Sequence, residues 1–94
     1  MRSISITRPD DWHVHLRDGA YLTSTVQDIS RYFGRAIIMP NLEAPVETAA
    51  QAGEYRARII SLVPEERSFV PLMTLYLTDR TTPQTVVDAS QSGF

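Results

Sequence analysis

The feature that most limits the fold of this chain is a regular alternation between short apolar runs and amphipathic helical stripes. Residues 35–39 (RAIIM) are apolar almost without a break, which is typical of a strand covered on both faces, as in parallel sheets. Residues 23–33 and residues 48–62 carry apolar side chains at spacings of three and four, the period of a helix. The alternation predicts right-handed βαβ units on a parallel sheet.

Other segments extend this pattern. Residues 3–7 (SISIT) alternate polar and apolar side chains and predict a short, half-buried leading strand, and residues 11–16 predict the next strand. Residues 68–77 predict a further strand, in which Pro71 removes one backbone donor and favours an edge, a bulge or a strand start. Residues 82–83 (TP) are typical of a helix start.

Polar residues mark the predicted helix ends. Thr23 or Ser24 is the expected N-cap of the first helix, and Gly34 is placed to end it. Thr48 is the expected N-cap of the second helix, whose apolar stripe includes Tyr55. The arginines of that helix are interpreted as its solvent face.

Composition narrows the class of protein. The 94 residues are 43% hydrophobic and 21% charged, so we expect one globular unit, residues 1–94. The net charge of -2 is spread along the chain, which argues against a nucleic-acid or anionic-membrane partner. No signal peptide or apolar run of about 20 residues is present, which predicts a cytoplasmic protein. Without cysteine, any metal must be bound through nitrogen and oxygen.

The chain has two histidines, His13 and His15, on one predicted strand. Side chains alternate along an extended backbone, so both imidazoles should point one way, and Trp12, Val14 and Leu16 the other. This arrangement can act as a bidentate ligand for one metal ion. The alternative is two ordinary polar positions on a half-buried strand, but unpaired imidazoles between apolar residues would cost free energy.

Further polar residues follow the predicted strands, where parallel α/β folds bind ligands. They are Arg17, Asn41 and residues 78–79. From the residues alone, the simpler interpretation is that Arg17 is a surface charge, Asn41 a turn former and residues 78–79 a solvated loop without a catalytic role.

Three segments together, residues 11–18 (DWHVHLRD), 34–42 (GRAIIMPNL) and 71–78 (PLMTLYLT), resemble the start of a bacterial-type dihydroorotase of the amidohydrolase superfamily. The resemblance runs along almost the whole chain. It implies a (β/α)8 TIM barrel that holds two zinc ions and interconverts dihydroorotate and N-carbamoyl-aspartate in pyrimidine biosynthesis. The chain would supply the first three βα units of that barrel, plus the leading strand, and stop before the fourth strand.

The resemblance also implies residue roles. His13 and His15 match the pair that binds the more buried zinc. Arg17 and Asn41 match residues that bind the substrate carboxylate, and a planar guanidinium beside an amide donor suits that group. No catalytic residue falls within the chain, because the bridging carboxylated lysine, two further histidines and the catalytic aspartate have no counterpart in a sequence without lysine or a third histidine.

We therefore expect the 94-residue chain alone to bind zinc weakly and to be inactive. The expected partner is the small-molecule substrate, and a homodimer is one option for the complete enzyme. Two alternatives stay open at this stage. One is a non-catalytic interaction module that uses the exposed sheet edge, and the other is an amidohydrolase for another cyclic amide, such as a hydantoin.

Overall fold

The computed structural model describes all 94 residues, and strands and helices alternate along it. The elements, in chain order, are β1 Asp10–Val14, α1 Leu22–Tyr32, β2 Arg35–Ile38, α2 Ala49–Leu62, β3 Val70–Leu72 and α3 Pro83–Gln91. A short 3-10 turn, Gly19–Tyr21, leads into α1. The strands form one parallel sheet in the order β1-β2-β3. The predicted βα alternation on a parallel sheet is confirmed.

The hydrophobic core lies between one face of the sheet and the helices α1 and α2. Val26 of α1 and Ile59 of α2 are fully buried against Ala36 and Ile38 of β2. Ile37, between those two β2 residues, remains partly exposed. The expectation that β2 is covered on both faces therefore holds for one face only in this chain, and the other face is open.

The predicted N-cap of α2 is confirmed. The Thr48 side chain accepts a hydrogen bond from the Gln51 backbone N–H at 3.2 Å, and the Gln51 side-chain oxygen accepts one from the Thr48 backbone N–H at 3.2 Å. This reciprocal pair satisfies two donors that the helix would otherwise leave unpaired. Helix α3 begins at Pro83, as residues 82–83 predict. Thr82 is its N-cap and forms the same reciprocal arrangement with Thr85.

The start of α1 differs from the prediction. Neither Thr23 nor Ser24 is the N-cap, because the 3-10 turn runs directly into the helix and places Tyr21 at that position, without a side-chain cap. The Ser24 hydroxyl instead donates back to the Tyr21 carbonyl at 3.1 Å. The helix ends at Tyr32, close to the predicted Gly34.

The predicted leading strand at residues 3–7 is wrong. These residues are exposed, with Ile4 at 90% and Ile6 at 78%, and no strand pairs with them. Alternation alone cannot make a strand, because an extended segment also needs a hydrogen-bonding neighbour and an apolar surface to cover.

The third strand is shorter than predicted. It ends at Leu72 because the following backbone donors bind outside the sheet. The Met73 N–H donates to the Phe94 carbonyl at 2.7 Å, and the Tyr76 N–H donates to the Val46 carbonyl at 2.6 Å. Pro71 lies on β3, which is an edge strand of the sheet, as the missing backbone donor favours.

We predict that Thr48→Ala destabilises the chain by about 1 kcal/mol, because it removes the N-cap of α2. Equilibrium urea denaturation followed by far-UV circular dichroism measures this change. Thr23→Ala is the matched control, since Thr23 is exposed and does not cap α1. Equal losses in the two variants would contradict the assignment of the cap.

Candidate functional site

The carboxyl ends of β1 and β2 open onto two adjoining cavities. The last bond between the strands runs from the Met39 N–H to the Val14 carbonyl at 2.9 Å. The first cavity, here the histidine cavity, has a volume of about 420 Å³ and is lined by His13, His15, Met39, Pro40, Asn41, Leu75, Tyr76 and Leu77. The second, here the arginine cavity, has a volume of about 640 Å³ and is lined by Arg17, Asp18, Gly19, Tyr21, Asn41, Leu42, Glu43 and Ala44. Asn41 borders both cavities.

The two imidazoles converge, as the alternation on β1 predicts. The Nε2 atoms of His13 and His15 are 3.1 Å apart, and their ring centroids are 5.0 Å apart. Two nitrogens bound to one tetrahedral zinc lie about 3.3 Å apart, so the spacing of the pair is close to that of two ligands on one ion. The same distance allows a hydrogen bond between the neutral rings. No group of three or more metal-ligating side chains is present, so the pair can supply two ligands.

A bulge in β1 lies next to this pair. The pairing with β2 shifts register between Asp11 and Val14. The Asp11 carboxylate accepts a hydrogen bond from the His13 backbone N–H at 3.0 Å, which satisfies a donor inside the bulge. Bulges next to sites commonly redirect one side chain. Periodicity along the strand does not reveal this feature.

The bulge explains why the prediction for Trp12 is wrong. Val14 packs against the core and Leu16 is 1% exposed, as expected. Trp12 is 52% exposed, and the Arg35 guanidinium lies 5.2 Å from the centre of its ring. Arg35 is also paired with Asp10 at 2.6 Å, and this hydrogen-bonded pairing holds the pKa of the Asp10 carboxyl below its usual value.

Arg17 has an unusual backbone. Its φ of 62° lies in the left-handed region, which costs about 1–2 kcal/mol for a residue with a Cβ. The ion pairs of the chain use Arg35, Arg58 and Arg80, which leaves the Arg17 guanidinium available to a ligand.

Tyr55 and Arg58, both on α2, hold the backbone around Arg17. The Tyr55 hydroxyl donates to the Arg17 carbonyl. Arg58 binds the Asp18 carboxylate with two hydrogen bonds, at 3.2 and 2.9 Å. Burial, helped by the nearby Asp18 charge, raises the pKa of Tyr55 to about 12, so the hydroxyl remains a donor at neutral pH.

The interpretation of α2 from its sequence misses both contacts. Tyr55 does belong to the buried stripe, with 1% exposure, but its periodicity gives no partner for the hydroxyl. A tyrosine in a buried stripe needs a hydrogen-bond partner, and this requirement is the only signal in the sequence. Arg58 is partly exposed, as predicted, yet it is paired with the residue that follows Arg17.

The loop that carries Asn41 is tied to the segment after β3. The Glu47 carboxylate, at the end of this loop, accepts a hydrogen bond from the Thr78 hydroxyl at 2.6 Å and pairs with Arg80 at 2.8 Å. The Arg80 hydrogen bonds, assisted by Thr78, hold the pKa of Glu47 below its usual value. Thr78 is therefore a structural anchor rather than part of a free solvated loop.

We predict that Arg17→Gly is more stable to unfolding than Arg17→Ala by about 1 kcal/mol, because glycine adopts the left-handed conformation without a Cβ clash. Urea denaturation of the two variants measures the difference. Ala57→Gly, at an exposed position inside α2, should show the opposite sign, with a loss of about 1 kcal/mol. If Arg17→Ala is the more stable variant, the backbone of residue 17 is not strained.

Comparison with known proteins adds to this geometry. The chain is 59% identical over 93 residues to a dihydroorotase of Cupriavidus pinatubonensis and 59% identical over 91 residues to one of Pseudomonas fluorescens. These matches cover 99% and 97% of this chain but 27% and 26% of the relatives, so the chain spans about a quarter of their length. No family model matches the chain.

A solved structure gives the same result for the fold. The dihydroorotase of Saccharomyces cerevisiae in complex with 5-fluoroorotic acid superposes with a TM-score of 0.80 and 33% sequence identity, over 88% of this chain and 22% of that one. The predicted α/β class, three βα units of an incomplete TIM barrel, is thereby confirmed. In sequence and in fold the chain is similar to the dihydroorotases, over about a quarter of the length of those enzymes.

Proposed function

We propose that residues 1–94 form the opening part of a dihydroorotase active site, with His13 and His15 as zinc ligands and with Arg17 and Asn41 as the binding site for the substrate carboxylate. The observation that carries this proposal is the placement of all four side chains around two adjoining cavities at one sheet edge. The reaction is the interconversion of dihydroorotate and N-carbamoyl-aspartate in pyrimidine biosynthesis. A cytoplasmic location and a homodimeric enzyme remain predictions.

The histidine pair fits a zinc ion by its donor chemistry and by its spacing. The two imidazole nitrogens are 3.1 Å apart, and both side chains are exposed to solvent. Bound zinc supplies an acidified water and polarises the amide carbonyl of the substrate. His13 and His15 would supply two of the ligands of the ion.

The arginine cavity suits a carboxylate. The Arg17 guanidinium is exposed and unpaired, so it can take both carboxylate oxygens in a planar, two-bond arrangement. Asn41, which also lines this cavity, offers an amide donor. The 5-fluoroorotic acid in the structure of the yeast relative belongs to the same chemical class as dihydroorotate, since both are six-membered cyclic amides with a carboxylic acid group. A carboxylate at Arg17 would place the ring of the substrate toward the histidine cavity, which Asn41 also borders.

Activity can be tested in a chimera, in which the 94 residues replace the matching part of the Pseudomonas fluorescens relative. We predict that Arg17→Ala raises the KM for dihydroorotate by at least about tenfold, because a charge-assisted pair to the carboxylate is lost. Steady-state kinetics measure this change. Arg31→Ala, at an exposed position on α1, is the control.

The outcome separates the open alternatives. An unchanged KM in Arg17→Ala would remove the carboxylate site and would favour a cyclic amide without that group. A correctly folded chimera that has neither zinc nor activity would instead favour a non-catalytic module.

Metal binding can be tested on the 94-residue chain itself. We predict that zinc shifts the imidazole NMR signals of His13 and His15 together, with weak affinity, and that the chain alone does not turn over N-carbamoyl-aspartate, because two ligands are fewer than catalytic zinc sites use. His13→Asn should abolish the shift of the remaining histidine. Asp28→Asn, on the exposed side of α1, should leave it unchanged. Different zinc dependences of the signals from the two rings would contradict a shared zinc site.

A further inference from the structure

Residues 16–18, here the arginine turn, lie beyond the end of β1 and are held by side chains from two helices. The Thr25 hydroxyl of α1 donates to the Leu16 carbonyl at 2.6 Å. From α2, the Tyr55 hydroxyl donates to the Arg17 carbonyl, and Arg58 binds the Asp18 carboxylate. Within this turn, the guanidinium of Arg17 is the one charged group without a partner in the chain.

We propose that Tyr55 is a positioning residue for Arg17, because its hydroxyl keeps the Arg17 backbone left-handed and so directs the guanidinium into the cavity shared with Asn41. This inference rests on the proposed function, in which Arg17 binds the substrate carboxylate.

The hydroxyl of Tyr55, rather than its ring, carries the argument. The ring fills the core at 1% exposure, and a phenylalanine would fill the same space. Only the hydroxyl reaches the Arg17 carbonyl, which is 38 residues away in the chain. Without this bond the carbonyl has lost its donor, and the residue can relax toward the negative φ that side chains with a Cβ prefer.

The surroundings of Tyr55 fix its hydroxyl in place. Arg58 lies one helical turn further along α2, and its guanidinium is 5.3 Å from the centre of the Tyr55 ring. The same guanidinium binds Asp18. One turn of α2 thus holds two consecutive residues of the arginine turn, by a hydrogen bond to the backbone and by an ion pair.

The test is Tyr55→Phe in the chimera with the Pseudomonas fluorescens relative. We expect the KM for dihydroorotate to rise about fivefold, with kcat changed less than about twofold and with unchanged zinc content. Tyr32→Phe is the matched control, because Tyr32 is a largely exposed tyrosine at the end of α1. A purely structural role of the hydroxyl would lower the thermal midpoint and leave the KM unchanged, which would overturn the inference.

A double variant identifies the residue through which the hydroxyl acts. In an Arg17→Ala background, Tyr55→Phe should raise the KM no further, because the guanidinium that it positions is absent. An equal rise in both backgrounds would overturn the inference. If Arg17→Ala alone leaves the KM unchanged, the proposed carboxylate site fails instead, so the two failures are distinguishable.

An NMR measurement tests the inference even if the variant chimera has no measurable activity. In the 94-residue chain, the backbone ¹³C shifts of residue 17 report whether its conformation is left-handed. We expect Tyr55→Phe to move these shifts toward extended values and Tyr32→Phe to leave them in place. Left-handed shifts retained in Tyr55→Phe would overturn the inference.

Discussion

The parallel pairing of β1 with β2 determines which residues meet at the candidate site of this chain. With Val14 opposite Ile38, both strands end at one edge of the sheet, and the residues that follow them meet there. This register is why Arg17 and Asn41, which lie far apart in sequence, line the same cavity. Antiparallel pairing would place Asn41 at the opposite end of the sheet from Arg17. The site is thus a consequence of strand direction, which in turn requires the crossover through α1.

The arginine turn is stable because several contacts offset the strain at Arg17. The left-handed backbone costs about 1–2 kcal/mol. The hydrogen bond from Tyr55, which is buried, contributes about 1 kcal/mol, and so does the one from Thr25. The Asp18–Arg58 pair is substantially exposed and adds less than about 1 kcal/mol. The two hydroxyl groups therefore carry most of the compensation, and α1 and α2 must both be docked before the turn is secure.

The sequence predicts those features of the structure that depend on residues close together in the chain. The caps at Thr48 and Thr82 follow from the residue types at the helix starts, and the shared side of the two histidines follows from their spacing of two. Features that depend on distant partners are not predictable in this way. Residues 3–7 have the alternation of a strand but no neighbour to pair with, and the partner of the Tyr55 hydroxyl is set by the tertiary docking of α2 against the end of β1.

The histidines are exposed because they lie on the face of the sheet that the helices leave uncovered. Val70 is 45% exposed and Ile37 is partly exposed, and this is the face of the sheet that α1 and α2 leave uncovered. In a closed barrel that face is the interior, where side chains from the remaining strands exclude water. Lower local polarity strengthens the attraction of an imidazole pair for a cation and of a guanidinium for a carboxylate. If the proposed site is correct, the open face explains the weak zinc affinity that we predict for the 94-residue chain, because its histidines lie in water.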